Sequence, residues 1–406
     1  MLALSLLGCA PQDPRSDSGS ASAGDGASEG SSDAGSVGKP DGPGAGDSTD
    51  GDRPGGPDDG AQFDVGEGKD EAGGDPTTDG GALVCGTRSC EDTTANAAVL
   101  LAPCDEFFAD FHPPYDEHYQ CWSGAPAGYL IGDTDAVFAF DNPDMLLIGR
   151  FDGGIAQAEV TRDANCNITG FVDAQWQPYP DGEPSEVFVR GMTWLDDGTM
   201  LLARTDLDGT PQQIGQRAPD SGVTANLIDA VSLLPPWEQL YFGGANVIVA
   251  ISVVPPGFPG AGSTKLIAEK LDSSHWFTLP TVADGNGGYT LGNAIEATTI
   301  QPPQPQWGGY YARGIAWIGT DNPDIDKPSV LVPEAWDYVV ALYELDDDGN
   351  PVPQSRTVFV EGIGMPSGAE SDAVSGNNFV FTGRRSQDVY VVRGCDDAPG
   401  SDIPRG

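Results

Sequence analysis

The chain has 406 residues, with 62 Asp+Glu against 19 Lys+Arg and a formal net charge of −43. That balance excludes nucleic acid as a partner, because phosphates demand a basic face, and it disfavours direct contact with an anionic membrane surface. No run approaches the roughly 20 apolar residues of a membrane-spanning helix.

Taken in chain order, residues 1–9 are apolar and end in Leu6-Leu7-Gly8-Cys9. This segment resembles a bacterial lipobox, in which a small residue precedes a Cys that receives a diacylglycerol, and the resemblance assigns lipidation to Cys9. The apolar start is short and lacks a basic n-region, so the true start is expected upstream. Ala10 follows the lipidated Cys in place of an acid, which resembles the outer-membrane default of Gram-negative sorting. The expectation is an exported protein with a signal peptide, lipid-anchored to the cell envelope at the outer membrane.

Residues 10–83 form a Gly/Ser/Asp-rich linker; residues 10–80 alone hold 17 acids, 4 bases and 18 Gly, with Phe63 the sole aromatic. Such a segment buries too little apolar surface to offset its ordering entropy. Its composition makes it a flexible, self-repelling acidic tether, on the order of 45 Å end to end as a random coil. Every Trp, Tyr and His lies beyond residue 80. The folded body therefore comprises a Cys-rich segment at 84–127, a β domain at 128–396 and a short tail at 397–406.

The body consists of short β-type runs between Asp/Gly/Asn/Pro turns, without sustained helical periodicity. First strands are expected at Val137–Phe140, Gly191–Trp194, Leu240–Phe242, Gly314–Trp317 and Gly368–Glu370. Second strands follow at Met145–Arg150, Met200–Arg204, Val247–Ile251, Ser329–Val332 and Phe379–Arg384. Third strands follow at Ile155–Val160, Lys265–Leu271, Val339–Leu345 and Val389–Arg393. Arg190-Gly-Met-Thr-Trp194 and Arg313-Gly-Ile-Ala-Trp317 are the closest pair. Repeats of about 40–55 residues with several strands each are the signature of propeller blades.

The segment Pro366–Asp372 with Val374–Phe381 and Val389–Val392 resembles an NHL-type propeller unit, and Arg190–Arg204, with Asp196-Asp-Gly-Thr199 in its turn, is similar. The resemblance implies an all-β fold, a β-propeller of five or six four-stranded blades. Five are counted, and the spacing between Val247 and Val330 leaves room for a sixth or an insertion. The last blade ends three strands in. Its edge strand must come from elsewhere, and Ala97–Leu101 is the candidate.

With Cys9 set aside, an even six Cys remain: Cys85, Cys90, Cys104, Cys121, Cys166 and Cys395. In an exported chain they read as disulfides. Cys395 is expected to pair with one of the N-terminal four and staple the ring. Cys104, His112, His118 and Cys121 are zinc-ligand types, but their spacing fits no common finger and the disulfide reading is preferred.

No nucleophile elbow, His-Glu-x-x-His or phosphate-binding loop occurs, so no catalytic residue is assigned. Among the three His, His275 reads as a structural, half-buried residue. Asp-rich runs such as Asp206–Gly209 and Asp346–Gly349 read as turns. Asp135, Arg190, Arg313 and Glu370 lie near the starts of first strands and form a candidate funnel site for an unknown protein, glycan or small-molecule ligand, two Arg beside two acids being suited to a carboxylate. The alternative is a calcium-dependent lactonase- or esterase-like hydrolase, as the distant likeness to gluconolactonase-like and paraoxonase-like propellers implies. Glu370 and Asn246 would then hold the metal, with calcium as cofactor.

Overall fold

The computed structural model describes residues 99–104, 109–124, 131–150, 154–172, 177–178, 187–206, 212–219, 224–236, 248–269, 273–301, 312–335, 338–383 and 388–396. Cys9, Cys85, Cys90, Leu240–Phe242 and Asn246 lie outside them.

The described strands form five antiparallel sheets and one two-stranded hairpin. In each sheet the chain runs from an inner strand outwards. Blade 1 comprises Ile131–Phe138, Met145–Arg150, Ile155–Arg162 and Ile168–Phe171. Blade 2 comprises Val187–Trp194, Met200–Asp206, Gln213–Arg217 and Ala225–Asp229. Blade 3 comprises Ile248–Val253, Thr264–Glu269, Ser274–Leu279 and Ile295–Ile300. Blade 4 comprises Ala316–Ile318, Ser329–Glu334, Val339–Glu344 and Thr357–Glu361, extended by Asp110–Phe111. The protein is a five-bladed β-propeller.

Blade 5 closes the ring. Its strands Pro366–Ser371, Asn378–Gly383 and Val389–Gly394 are completed by Tyr119–Gly124 from the N-terminal side, antiparallel from Val389↔Gly124 to Gly394↔Tyr119. The expectation of a recruited edge strand is met, but by a different segment. Val99–Leu100, from the run expected to close the ring, pairs instead with the outer strand of blade 1. Tyr119–Gly124 supplies Trp122 and Cys121 to two different core clusters, so both of its faces are buried and no alternation marks it as a strand.

The core sits between blades. Five clusters of buried side chains each join a consecutive pair: blades 1 and 2 around Leu147 and Met192, 2 and 3 around Leu201 and Phe277, 3 and 4 around Trp276 and Tyr343, 4 and 5 around Phe359 and Phe379, and 5 and 1 around Val391 and Leu146. This explains why the second strands read as continuous apolar runs: each is covered on both faces. It also corrects blade 3. Ile248–Val253 is its inner strand and Thr264–Glu269 its second, one place earlier than the repeat count put them. The extra length in that blade is the hairpin Thr281–Ala283 with Tyr289–Leu291, and not a sixth blade.

Inner strands approach one another closely at the glycines of the Arg-Gly-x-x-Trp repeat. A Cβ on Gly314 would lie 2.6 Å from Ser367 O and 2.6 Å from Ala369 N of the neighbouring inner strand, and one on Gly191 3.0 Å from Ile251 N. A side chain there would push adjacent blades apart.

Candidate functional site

Four inner strands break register with their neighbours at one level: at Ile131/Ala136, Val189/Gly191, Ile248/Ala250 and Pro366/Ala369. Blade 4 is interrupted at the same level, between the Ala312↔Glu334 bridge and Ala316. Such bulges twist a strand and re-aim its side chains. Arg190 and Arg313 both sit in these breaks, so their correspondence in the repeat is structural.

The breaks divide the four funnel residues into two groups. Asp135, 3% exposed, reaches the inner strands on either side: Oδ1 accepts from Ala136 N at 3.0 Å, Oδ2 from Met192 N at 3.1 Å, and Ala369 N donates as well. It thus ties together the inner strands of blades 1, 2 and 5. Burial pushes its carboxyl well above the usual range despite those three donors. Glu370 is its neighbour. Its Oε1 accepts from Ser371 N at 3.0 Å, and burial, followed by the charge of Asp135, pushes it well up too. The two arginines do not join this pair. Arg313 Nη2 lies 3.3 Å from Glu269 Oε1, and the Arg190 guanidinium stands 5.0 Å above the Phe188 ring. The two acids are brought together, while Arg313 is held against Glu269 and Arg190 over Phe188.

Where the inner strands end, a cavity of about 960 Å³ opens. All five blades contribute, through the ends of their inner strands and the hairpins that follow. Trp194 and Trp317, the last residues of the two repeats, line it together with Phe140 and Phe258. Phe140 and Trp194 pair with ring centroids 6.1 Å apart, and Phe258 and Trp317 at 6.0 Å. Trp194 Nε1 donates to Phe138 O at 2.7 Å and Trp317 Nε1 to Ser252 Oγ at 2.9 Å. Both indole donors are therefore used within the protein, while the ring surfaces line the cavity. Asp196, Asp321, Glu370 and Asp372 bring carboxylates, and among the described lining residues there is no Lys, Arg or His. Asp372 is neutralised from behind by Arg162, whose Nη1 and Nη2 reach its two oxygens at 2.5 and 2.9 Å.

The remaining sequence-predicted residues are spread around the ring. Cys104 and Cys121 form a disulfide, His118 Nδ1 meets Asp324 Oδ2 at 2.7 Å and His112 Nε2 lies 3.4 Å from Glu361. Cys166 and Cys395 are also disulfide-bonded. Asp346 accepts from the amides of Asp348 and Asn350 within its own turn. No group of three or more His, Cys, Asp or Glu among the described residues is placed to hold a metal.

One arrangement escaped the sequence reading. Ser273 Oγ lies 3.1 Å from His275 Nε2, and His275 Nδ1 lies 3.0 Å from both Glu296 Oε1 and Thr299 Oγ1. The order is that of a nucleophile, base and orienting acid. Ser273 is only 3% exposed, however, and His275 6%. A buried His needs partners on both nitrogens, and this chain supplies them. Ser273 immediately precedes the strand Ser274–Leu279 that carries His275, whereas Glu296 lies on the neighbouring strand of the sheet and no spacing signals it.

No protein-family model matches the sequence, and no curated protein sequence does. Among solved structures, the chain is similar to an auxiliary nutrient binding protein from Bacteroides ovatus ATCC 8483, at 9% identity over 73% of this chain and 77% of that one, with a TM-score of 0.36. It is similar to a luciferin-regenerating enzyme at 8% identity over 74% and 97%, with a TM-score of 0.38. It is also similar to a calcium-binding protein, regucalcin, from Agrobacterium tumefaciens str. C58 at 12% identity over 75% and 96%, with a TM-score of 0.36. Likeness at this level says nothing of what the present chain binds. Among the described residues, no helix is long and apolar enough to cross a membrane.

Proposed function

We propose that this protein is a lipid-anchored binding module: a propeller exported to the cell envelope, held at the outer membrane through Cys9 and the acidic linker of residues 10–83, and binding a ligand without chemistry. The observation that carries the binding role is the cavity, of a size typical of small-molecule sites, with contributions from all five blades and aromatic walls. The anchoring rests on the lipobox-like Leu6–Cys9.

A second reading, the calcium-dependent hydrolase, draws on the neighbouring carboxyls of Asp135 and Glu370, the latter at the cavity, since a divalent cation is held by such oxygens. Thermal melts of the chain against a panel of neutral, cationic and anionic metabolites, each assayed for turnover, separate the two. The binding reading expects a rise of several degrees for one class, no product, and loss of the rise in Trp194→Leu. Stabilisation by calcium, reversed by chelator and accompanied by hydrolysis of a lactone or ester, would establish the hydrolase instead. For the anchor, fatty-acid labelling in a Gram-negative host should mark the wild type and spare Cys9→Ser.

A further inference from the structure

The polar groups that line the cavity are unequal in kind. The indole donors are used within the protein: Trp194 Nε1 donates to Phe138 O and Trp317 Nε1 to Ser252 Oγ, while Ser371 Oγ donates to Trp317 O at 2.7 Å. What the described lining offers a ligand is aromatic surface and carboxylate oxygen, with hydroxyls at Thr193, Ser252 and Thr320 and no Lys, Arg or His. An anion would meet like charge, with a whole-chain net of −43 behind it. A neutral polyol would leave the carboxylate charge of the lining unmatched. A positively charged ligand carrying N–H groups matches both features: the ring faces attract it through their quadrupoles, and the carboxylates accept its hydrogens as charge-assisted bonds. The volume of about 960 Å³ is far more than a bare metal ion fills, and calcium requires six to eight oxygens converging on one point.

Building on the binding role proposed above, we infer that the cavity takes a small organic ammonium ion, a primary or secondary amine in its charged form, with Trp194 and Trp317 as its aromatic walls and the exposed Asp196 as its counter-charge.

Three four-carbon probes of one length test the class: 1,4-diaminobutane, butane-1,4-diol and butanedioate, titrated calorimetrically into the full chain at about 0.15 M salt, where long-range attraction to the acidic surface is largely screened. The expected result is binding of the diamine at least tenfold tighter than of the diol or the diacid. Trp194→Leu should weaken the diamine about 5- to 30-fold, the range that cation–π contacts span, and Asp196→Asn should weaken it further than it weakens the diol. Circular dichroism of each variant checks that the propeller is intact. Should the diol or diacid bind as well as the diamine, and do so with sensitivity to Trp194→Leu, the ammonium assignment is wrong while the cavity remains the binding site. Diamine binding that is equal in wild type, Trp194→Leu and Asp196→Asn would mean diffuse attraction to an acidic chain and would overturn the assignment. If no probe of any charge responds to Trp194→Leu, and the wider metabolite panel does not either, the binding role itself fails.

Discussion

The seam between blades 5 and 1 is where the ring must be closed, and Arg162 lies across it. From the third strand of blade 1 its side chain, 6% exposed, reaches the fully buried carboxylate of Asp372 in the hairpin after the inner strand of blade 5. It also donates to Asp144 Oδ1 at 2.5 Å and to the carbonyls of Cys166 and Pro143, each at 3.0 Å. Burial works against its charge, yet the hydrogen bonds and charges of Asp372 and Asp144 hold the guanidinium above its ordinary range. Replacing it by Met keeps the apolar stem and leaves Asp372 with a buried, uncompensated charge. Removing one partner of such a pair costs about 3–5 kcal/mol. The lower end applies here, because Asp372 keeps donors from Val374 N, Ser375 Oγ and Asn378 Nδ2. For a folded body of roughly 300 residues, that predicts a Tm lower by about 5 °C. Urea unfolding of Arg162→Met, Asp372→Asn and the double variant should show coupling of at least about 1 kcal/mol. An Arg162→Met cost below about 0.5 kcal/mol, or additive single changes, would refute the view that this pair latches the ring.

Three further outcomes follow from the geometry. The carboxyl of Glu370 is raised by burial, by Asp135 and by Asp372, so the folded state holds its proton to higher pH than the unfolded chain does. The stability this confers is full below the unfolded value near 4.5 and is lost as pH rises through the folded value. Glu370→Gln, which keeps the acceptor for Ser371 N, should unfold like wild type at low pH and be the more stable protein at alkaline pH in urea titrations; a parallel pH profile would contradict this. Gly314→Ala should destabilise by about 1–3 kcal/mol through overpacking, and by more than Gly191→Ala, because its Cβ would meet backbone at 2.6 Å rather than 3.0 Å; the reverse order in melts would argue against the inner-strand spacing. Since Cys104 and Cys121 are paired with each other, a staple from Cys395 to the N-terminal segment requires Cys85 or Cys90, and peptide mapping of the oxidised chain should recover such a link, whereas a Cys166–Cys395 peptide would exclude it.

How far the sequence led depended on which features repeat. Arg-Gly-x-x-Trp located two inner strands, and each of its fixed residues has a structural meaning: the Gly for close approach of blades, the Arg in a bulge, the Trp at the cavity. Blade 3 was misregistered because all of Thr264–Glu269 is buried and Ile248–Val253 nearly so. Two such adjacent strands carry no periodic mark of which is inner. The acidic pair Asp135–Glu370 was legible as two residues in corresponding places, but the pairing of Arg313 with Glu269 depends on a fold-level contact between neighbouring blades. The cavity was least legible. Phe140 and Phe258 sit in hairpins of unrelated sequence, and nothing in the repeat says that a cavity lies where inner strands finish.

The proposed ligand site lies at that end of the ring. Hydrogen–deuterium exchange of the full chain, with and without the metabolite that most raises its Tm, locates the ligand. Slowed exchange is expected in the hairpins at residues 139–144, 195–199, 254–263, 319–328 and 372–377, in at least three blades at once. Protection confined to outer strands, or to the linker, would contradict it.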